Sequence, residues 1–124
     1  MFQEYFTEDH QIFRGAVRKF VEKEIKPYIE AWEDEELFPI EMYKKMADAG
    51  LLGIGYPEAY GGVPCDKFMQ IAFSEEMIRS GSVGLVSGLG SHTIAMPPVL
   101  NLGTEEQKQR FLVPVLAGDK VSAL

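Results

Sequence analysis

Two pairings in the sequence have the side-chain types that do chemistry. Ser91-His92 sets a hydroxyl beside an imidazole, and Glu75-Glu76 sets two carboxyls next to each other. A nucleophilic serine needs its base within hydrogen-bond reach and an acid behind that base. Consecutive helix positions instead diverge by about 100°, and no Asp stands at useful spacing from His92, so the hydrolase reading fails on geometry. The adjacent glutamates diverge in the same way, and salt bridges at a helix surface or end are expected of them rather than general acid–base catalysis. His92 is expected as a polar residue facing a groove. Cys65 is the single cysteine, and with two widely separated histidines it offers neither an internal disulfide nor metal-ligand spacing. A reducing compartment and no metal are the expectations. The glycines of the central stretch follow a helix, not a strand, so no phosphate-binding loop of the strand–helix kind is present.

The stretch that these residues belong to runs from Ser80 to Thr104, carries no formally charged side chain and holds five of the 12 glycines. Its length suggests a membrane span. Pro97-Pro98 inside it, with Ser82, Ser87, Ser91, His92, Thr93 and Asn101 scattered through it, argue instead for a helix shielded by protein on most sides. Glycine in a helix costs about 1 kcal/mol relative to alanine. Three of them, Gly84, Gly88 and Gly90, imply that something approaches the backbone closely, either a neighbouring helix or a ligand. A small-residue groove of this kind could take a long apolar ligand.

The totals suit one globular domain over residues 1–124, with 46% hydrophobic residues and neither repeats nor low-complexity tracts. A net charge of −7 with no Lys/Arg cluster opposes nucleic acid and anionic membrane as partners. The N-terminus is acidic and shows no signal-peptide or transit pattern.

The supporting elements read as helices in series. Thr7 caps the first, whose apolar stripe runs through Ile12, Phe13, Ala16, Val17, Phe20, Val21, Ile25, Tyr28, Ile29 and Trp32, with a kink or break at Pro27. The acidic run Glu33 to Glu36 reads as a solvated end. A second helix spans about Pro39 to Ala49, closed by Gly50. Leu51 to Tyr60 reads as an extended crossing that ends in a turn at Pro57 and Gly61-Gly62. Asp66 caps a helix to about Ser80, with Phe68, Ile71, Ala72, Phe73, Met77 and Ile78 inward. The central helix covers about Ser82 to Ala95. Thr104-Glu105-Glu106-Gln107 has the capping-box pattern and starts a last helix, with Phe111, Leu112, Val115 and Leu116 as its apolar face, Pro114 bending it and Gly118 ending it. Lys120 to Leu124 turns β-like. The fold class expected is all-α, an orthogonal bundle of about six helices, ending at the start of a β-domain outside this chain.

The order of these motifs resembles the N-terminal part of the flavin-dependent acyl-CoA dehydrogenases. FVEKEIKPYIEAWEDEELFPIEMYKKMADAGLLGIGYPEAYGG matches that family's first helix with internal proline, Phe-Pro helix, Gly-Leu-Leu-Gly crossing and Tyr-Gly-Gly turn. SEEMIRSGSVGLVSGLGSHTIAMPPVLNLGTEEQKQRFLVPVLAGDKVSAL is similar to its next helices. The resemblance covers Thr7 to Leu124 and rests on order and spacing, not on one motif. It implies a flavoenzyme of three domains, of which this is the first. In the family a glutamate removes the α-proton of an acyl-CoA while the β-hydride passes to FAD, giving a trans-2-enoyl-CoA, and electrons leave to an electron-transfer flavoprotein. The full-length form is implied to be a homotetramer. Catalytic and flavin-contacting residues are implied beyond Leu124, so none is assigned here, and FAD binding by this chain alone is not expected. The acyl pocket maps onto Val86, Ser87, Gly90 and Ile94, with Gly84, Ser91 and Met96 as neighbours. Such a protein is expected in the bacterial cytoplasm or the mitochondrial matrix. Relatives on the same scaffold, an acyl-CoA oxidase or a glutaryl-CoA dehydrogenase, stay open, as does a free-standing helical interaction module.

Overall fold

The computed structural model describes residues 3–123. Among them the chain is helical, with one isolated parallel bridge between Ile54 and Val63. The helices are α1 (Glu8–Phe20), α2 (Ile29–Asp34), α3 (Glu41–Asp48), α4 (Lys67–Ile78), α5 (Val83–Ile94), α6 (Met96–Leu102), α7 (Glu105–Gln107) and α8 (Val113–Leu116). Followed through their connecting turns, they make five helical runs, because α1 runs on into α2, α5 into α6, and α7 into α8. Two compact units result, residues 3–38 with Cys65–Val86 and Pro39–Pro64 with residues 87–123.

In the first unit α1 begins on a capping box. The Thr7 N–H donates to His10 Nδ1 at 2.9 Å, and the His10 N–H returns to Thr7 Oγ1 at 3.5 Å. His10 Nε2 also lies 2.9 Å from both carboxylate oxygens of Asp66, which accepts the Met69 N–H at 2.8 Å and so caps α4. One imidazole thus ties the starts of two helices together. The Met69 N–H, and then His10, hold the Asp66 carboxyl below the usual carboxylate range. α1 packs on α4, and Val17 of α1, Val21 and Ile25 just after it, and Ala72 and Met77 of α4 are all buried.

The regular α-helix is interrupted around Pro27, as expected: α1 ends at Phe20, and a π turn followed by a 3₁₀ turn, Lys26–Tyr28, lead into α2. A proline ring crowds the carbonyl four residues earlier and brings no N–H of its own. The chain responds with a π turn, Val21–Ile25, in which the N–H of Lys26, the residue before the proline, reaches back five positions to the Val21 carbonyl. The same device recurs at Pro114, where the Val113 N–H reaches the Lys108 carbonyl across the π turn Lys108–Leu112.

In the second unit Met42, Tyr43 and Met46 of α3 are buried, and Gly50 follows the helix at φ 72° as its left-handed end. The crossing from Leu51 is a series of turns rather than the extended segment expected: the Tyr56 N–H donates to the Gly53 carbonyl at 3.1 Å, Gly55 stands at φ 85°, and a 3₁₀ turn, Glu58–Tyr60, is closed by Gly61 at φ 89°. Thr104 and Gln107 form the expected capping box, with N···O distances of 2.8 and 3.2 Å. Leu112, Val115 and Leu116 close on Met96, with Tyr56, Tyr60, Val99 and Leu100 around them.

Pro97 leaves a mark of its own. It has no N–H to offer the Thr93 carbonyl four residues earlier, and the Tyr56 hydroxyl donates to that oxygen instead, at 2.8 Å. Tyr56→Phe keeps the ring and leaves the carbonyl without its donor. It is expected to lower stability by about 1–2 kcal/mol, measured as the shift in a urea midpoint at unchanged slope.

Candidate functional site

Helix α5 divides its residues cleanly by face. Leu85, Leu89 and His92 are buried, whereas Val83, Gly84, Ser87, Gly90, Ser91 and Ile94 are exposed and Val86 stands half-buried at the margin. Ser87, Gly90 and Ile94 therefore share one outward face, as their spacing demands, with Gly84 and Ser91 along its edge. Met96 does not join them, because it lies in the core with Leu112 and Leu116.

The glycines on this face do not serve a neighbouring helix of this chain. A Cβ built at Gly90 meets nothing within 4 Å, and one at Gly84 meets only Ser82 Oγ at 3.8 Å. Gly88 differs, since its carbonyl accepts from the Tyr43 hydroxyl at 3.4 Å. The Ser91 hydroxyl donates to the Ser87 carbonyl at 2.8 Å and the Thr93 hydroxyl to the Gly90 carbonyl at 3.2 Å. Both turn back onto their own helix, so the face offers open backbone and apolar surface.

The run Val83–Leu102, 20 residues at a mean hydropathy of 1.2, is long and apolar enough to cross a membrane by those measures alone. Its inward side is bonded to protein. Tyr43, Tyr56 and Ser122 donate to its carbonyls, and His92 is fully buried.

Burial corrects the expectation that His92 faces a groove. Its Nε2–H donates to the Val115 carbonyl at 2.8 Å, its Nδ1 accepts the Ser122 N–H at 3.3 Å, and its ring lies 4.5 Å from the Tyr43 ring. The Ser122 hydroxyl donates to the His92 carbonyl. Ser91 points to solvent, so the Ser-His pair diverges as expected. Burial pushes the His92 pKa down, against the raising effect of the Val115 carbonyl. The unfolded chain therefore binds a proton that the folded one excludes. The stability from neutral His92 is complete above its unfolded pKa of about 6.5 and is lost as pH falls from there through the lower folded value. Urea midpoints compared at pH 7 and pH 5 are expected to fall more in the wild type than in His92→Asn. Tyr43, packed on the ring, stays neutral throughout, its pKa raised by burial.

Glu75 and Glu76 also resolve into structure. Glu75 is exposed and pairs with Arg14 at 2.5 Å. Glu76 is buried, with Arg18 at 2.8 and 2.9 Å, Arg14 at 3.3 Å and Arg79 at 3.5 Å. Hydrogen bonding from Arg18, reinforced by Arg14, holds its carboxyl below the usual range against the opposing effect of burial.

One feature gave no signal in the sequence. A cavity of about 350 Å³ in the first unit is walled by Ile29, Trp32, Leu37, Phe38, Leu85 and Glu33, the last accepting the hydroxyl of buried Ser82. Glu36, also on its wall, adopts φ 54°. The cavity draws on separate segments of chain, which periodicity within one helix cannot bring together.

The most apolar run of the chain, Val83–Leu102, thus turns an open, small-residue face outward along α5. The sequence profile of the acyl-CoA dehydrogenase N-terminal domain matches residues 7–119, and the chain belongs to that family. It is 35% identical over 119 residues to the 3-(aryl)acrylate reductase of Clostridium sporogenes, covering 96% of this chain and 32% of that protein. With the short-chain specific acyl-CoA dehydrogenase of Clostridium acetobutylicum the identity is 38%, over 94% of this chain and 31% of the relative. Among solved structures, a glutaryl-CoA dehydrogenase from Mycobacterium smegmatis in complex with FADH2 superposes with a TM-score of 0.88 at 26% identity, covering 97% of this chain and 31% of that one. The chain thus spans about a third of the length of the relatives it matches.

Proposed function

We propose that this chain is the N-terminal domain of an FAD-dependent acyl-CoA dehydrogenase and that α5 forms one wall of the acyl pocket through Val86, Ser87, Gly90 and Ile94. The observation that carries it is the outward face of α5, apolar and open at Gly84 and Gly90, in a chain of this family. The whole protein would oxidise an acyl-CoA to its trans-2-enoyl form by loss of the α-proton and transfer of the β-hydride to FAD, with an electron-transfer flavoprotein as acceptor and a homotetrameric assembly. The cavity beside Trp32 carries the carboxylates Glu33 and Glu36, which oppose a diphosphate. On this reading the FAD-holding and catalytic groups belong to the part of the enzyme outside this chain, and the role of these residues is to bind and orient the acyl group and exclude water from it.

Gly90 gives the test. Gly90→Leu in the full-length protein fills space that the backbone leaves open and is expected to move preference toward shorter acyl chains. Each methylene excluded is worth about 1 kcal/mol in kcat/KM, or roughly fivefold. Gly90→Ala should meanwhile stabilise the fold by up to about 1 kcal/mol, since nothing obstructs its Cβ. An acyl-length profile identical in Gly90→Leu and wild type would remove α5 from the pocket. The glutaryl-CoA dehydrogenase neighbour keeps a second reading in view, a short dicarboxylic acyl group. The outward face of α5 carries no charged group, and the Ser91 hydroxyl is taken up by the Ser87 carbonyl, which favours the uncharged chain.

A further inference from the structure

The acyl wall is set by its outer residues, but what fixes its position lies on its inner side. His92 is on the opposite side of α5 from Gly90 and Ile94, fully buried, and it makes polar contacts along its whole height. Nε2–H donates to the Val115 carbonyl on α8, Nδ1 accepts the Ser122 N–H, and its own carbonyl accepts the Ser122 hydroxyl. Tyr43 of α3 closes the set, with its ring 4.5 Å from the imidazole and its hydroxyl 3.4 Å from the Gly88 carbonyl one turn earlier. Three separate segments of the second unit thus converge on a single turn of α5. A helix with so many glycines has few side chains to define its rotation by packing, so directional bonds must do it.

We propose that His92 is a positioning residue for the acyl wall: by joining α5 to Val115 and to Ser122 it sets the rotation of α5 that presents Gly90 and Ile94 to substrate. Its polar atoms are all engaged within the protein, so it touches no substrate and moves no proton in the reaction. The pairing is double, because Ser122 donates from both its N–H and its hydroxyl to the same residue. That pins the chain segment leaving α8 to the helix that lines the pocket. The inference rests on the acyl-wall reading of α5.

The test compares His92→Phe, which keeps a ring against Tyr43 and loses both nitrogens, with His92→Asn, which keeps a donor and an acceptor, and with Ser122→Ala, which removes only the hydroxyl. Amide exchange measured on this chain should quicken by about tenfold at Ser122 in His92→Phe while α1 and α4 keep their wild-type rates. In the full-length protein the same variant should raise KM by about fivefold, with kcat changed less than twofold, for whichever of butyryl-, octanoyl- and palmitoyl-CoA the wild type turns over best. His92→Asn should recover part of both effects, and Ser122→Ala should reproduce a smaller share of the KM change in a fold at little risk. Unchanged exchange at Ser122, exchange that quickens equally everywhere, or unaltered KM in both His92→Phe and Ser122→Ala would each overturn the inference. A wild-type full-length protein whose flavin is not bleached by any acyl-CoA would sink the acyl-wall reading and this inference with it. The exchange measurement, made without substrate, separates that failure from failure of the clamp.

Discussion

Glu76→Ala is expected to cost about 3 kcal/mol of stability, enough to lower Tm by about 10 °C in a domain of this size. Glu76 is 1% exposed and sits among three guanidinium groups. The side chains of Arg18 and Arg79 are 43% and 56% exposed and can return to water when the carboxylate goes. Arg14, at 16%, cannot do so as freely, and its uncompensated charge is the larger part of the loss. Arg14 keeps Glu75 as a partner at 2.5 Å, which is why the estimate stays at the low end of what breaking a buried pair costs. The sign with pH follows from the direction of the shift. The folded pKa of Glu76 lies below the unfolded one, so its contribution is complete above about pH 4.3 and disappears as pH falls from there through the folded value. Thermal melts at pH 7 and pH 3 check both parts. The gap between wild type and Glu76→Ala should be wide at pH 7 and narrow at pH 3.

Gly118→Ala should be about as damaging, at 3–4 kcal/mol, for a steric reason. Gly118 sits at φ 72°, and a Cβ there would lie 2.6 Å from the Tyr43 carbonyl oxygen, 2.8 Å from its carbon and 2.9 Å from Lys44 Cα. All three are backbone atoms that no rotamer change can move aside. Lys44 adds to the constraint by donating to the Ala117 carbonyl at 3.1 Å and pairing with Asp119 at 2.9 Å, one residue to either side of the glycine. Gly61 supplies the control. It is left-handed too, at φ 89°, but a Cβ there meets nothing within 4 Å, so Gly61→Ala should cost only the conformational strain of about 1 kcal/mol. Equal losses at the two sites, measured by urea unfolding, would mean that φ alone sets the penalty and that the approach of Tyr43 is inconsequential.

The all-helical class and both capping boxes were legible because they depend on neighbours three or four residues apart, the range over which sequence spacing is informative. Gly50 and Gly118 were legible for the same reason. What spacing could not show was the inner or outer side of positions whose partners come from elsewhere. On α1 the apolar stripe includes Ile12, which is 65% exposed, and Tyr28, which is half-exposed and stacks on Trp32. The stripe assumes one constant period, and the π turn at Val21–Ile25 puts Tyr28 out of phase with the residues before it, whereas Ile12 lies upstream of that turn and is exposed on α1 itself. On α4, Phe68, Ile71 and Ile78 were expected inward and are partly exposed, as is Phe111 further on. Hydrophobicity marks them as apolar but cannot say which apolar positions of a helix meet a neighbour among the described residues. Of the four α5 positions that the family resemblance implies, Ser87, Gly90 and Ile94 are exposed and Val86 is half-buried. The burial of His92 on the opposite side was not legible, because its partners Tyr43, Val115 and Ser122 lie far away in sequence.

The two π turns have a consequence for chain length. Each is a helix carrying one surplus residue, stored just upstream of a proline, so each is in effect a single-residue insertion that the fold has absorbed without a loop. A one-residue deletion within Glu22–Glu24 would leave α1 in place and swing everything after it by about 100°. Ile29 and Trp32, which wall the cavity of the first unit, would then look elsewhere. Loss of one residue could thus re-line that cavity with no change in the composition of its walls, and relatives that differ by a gap at this point should differ in its shape even where every lining residue is the same.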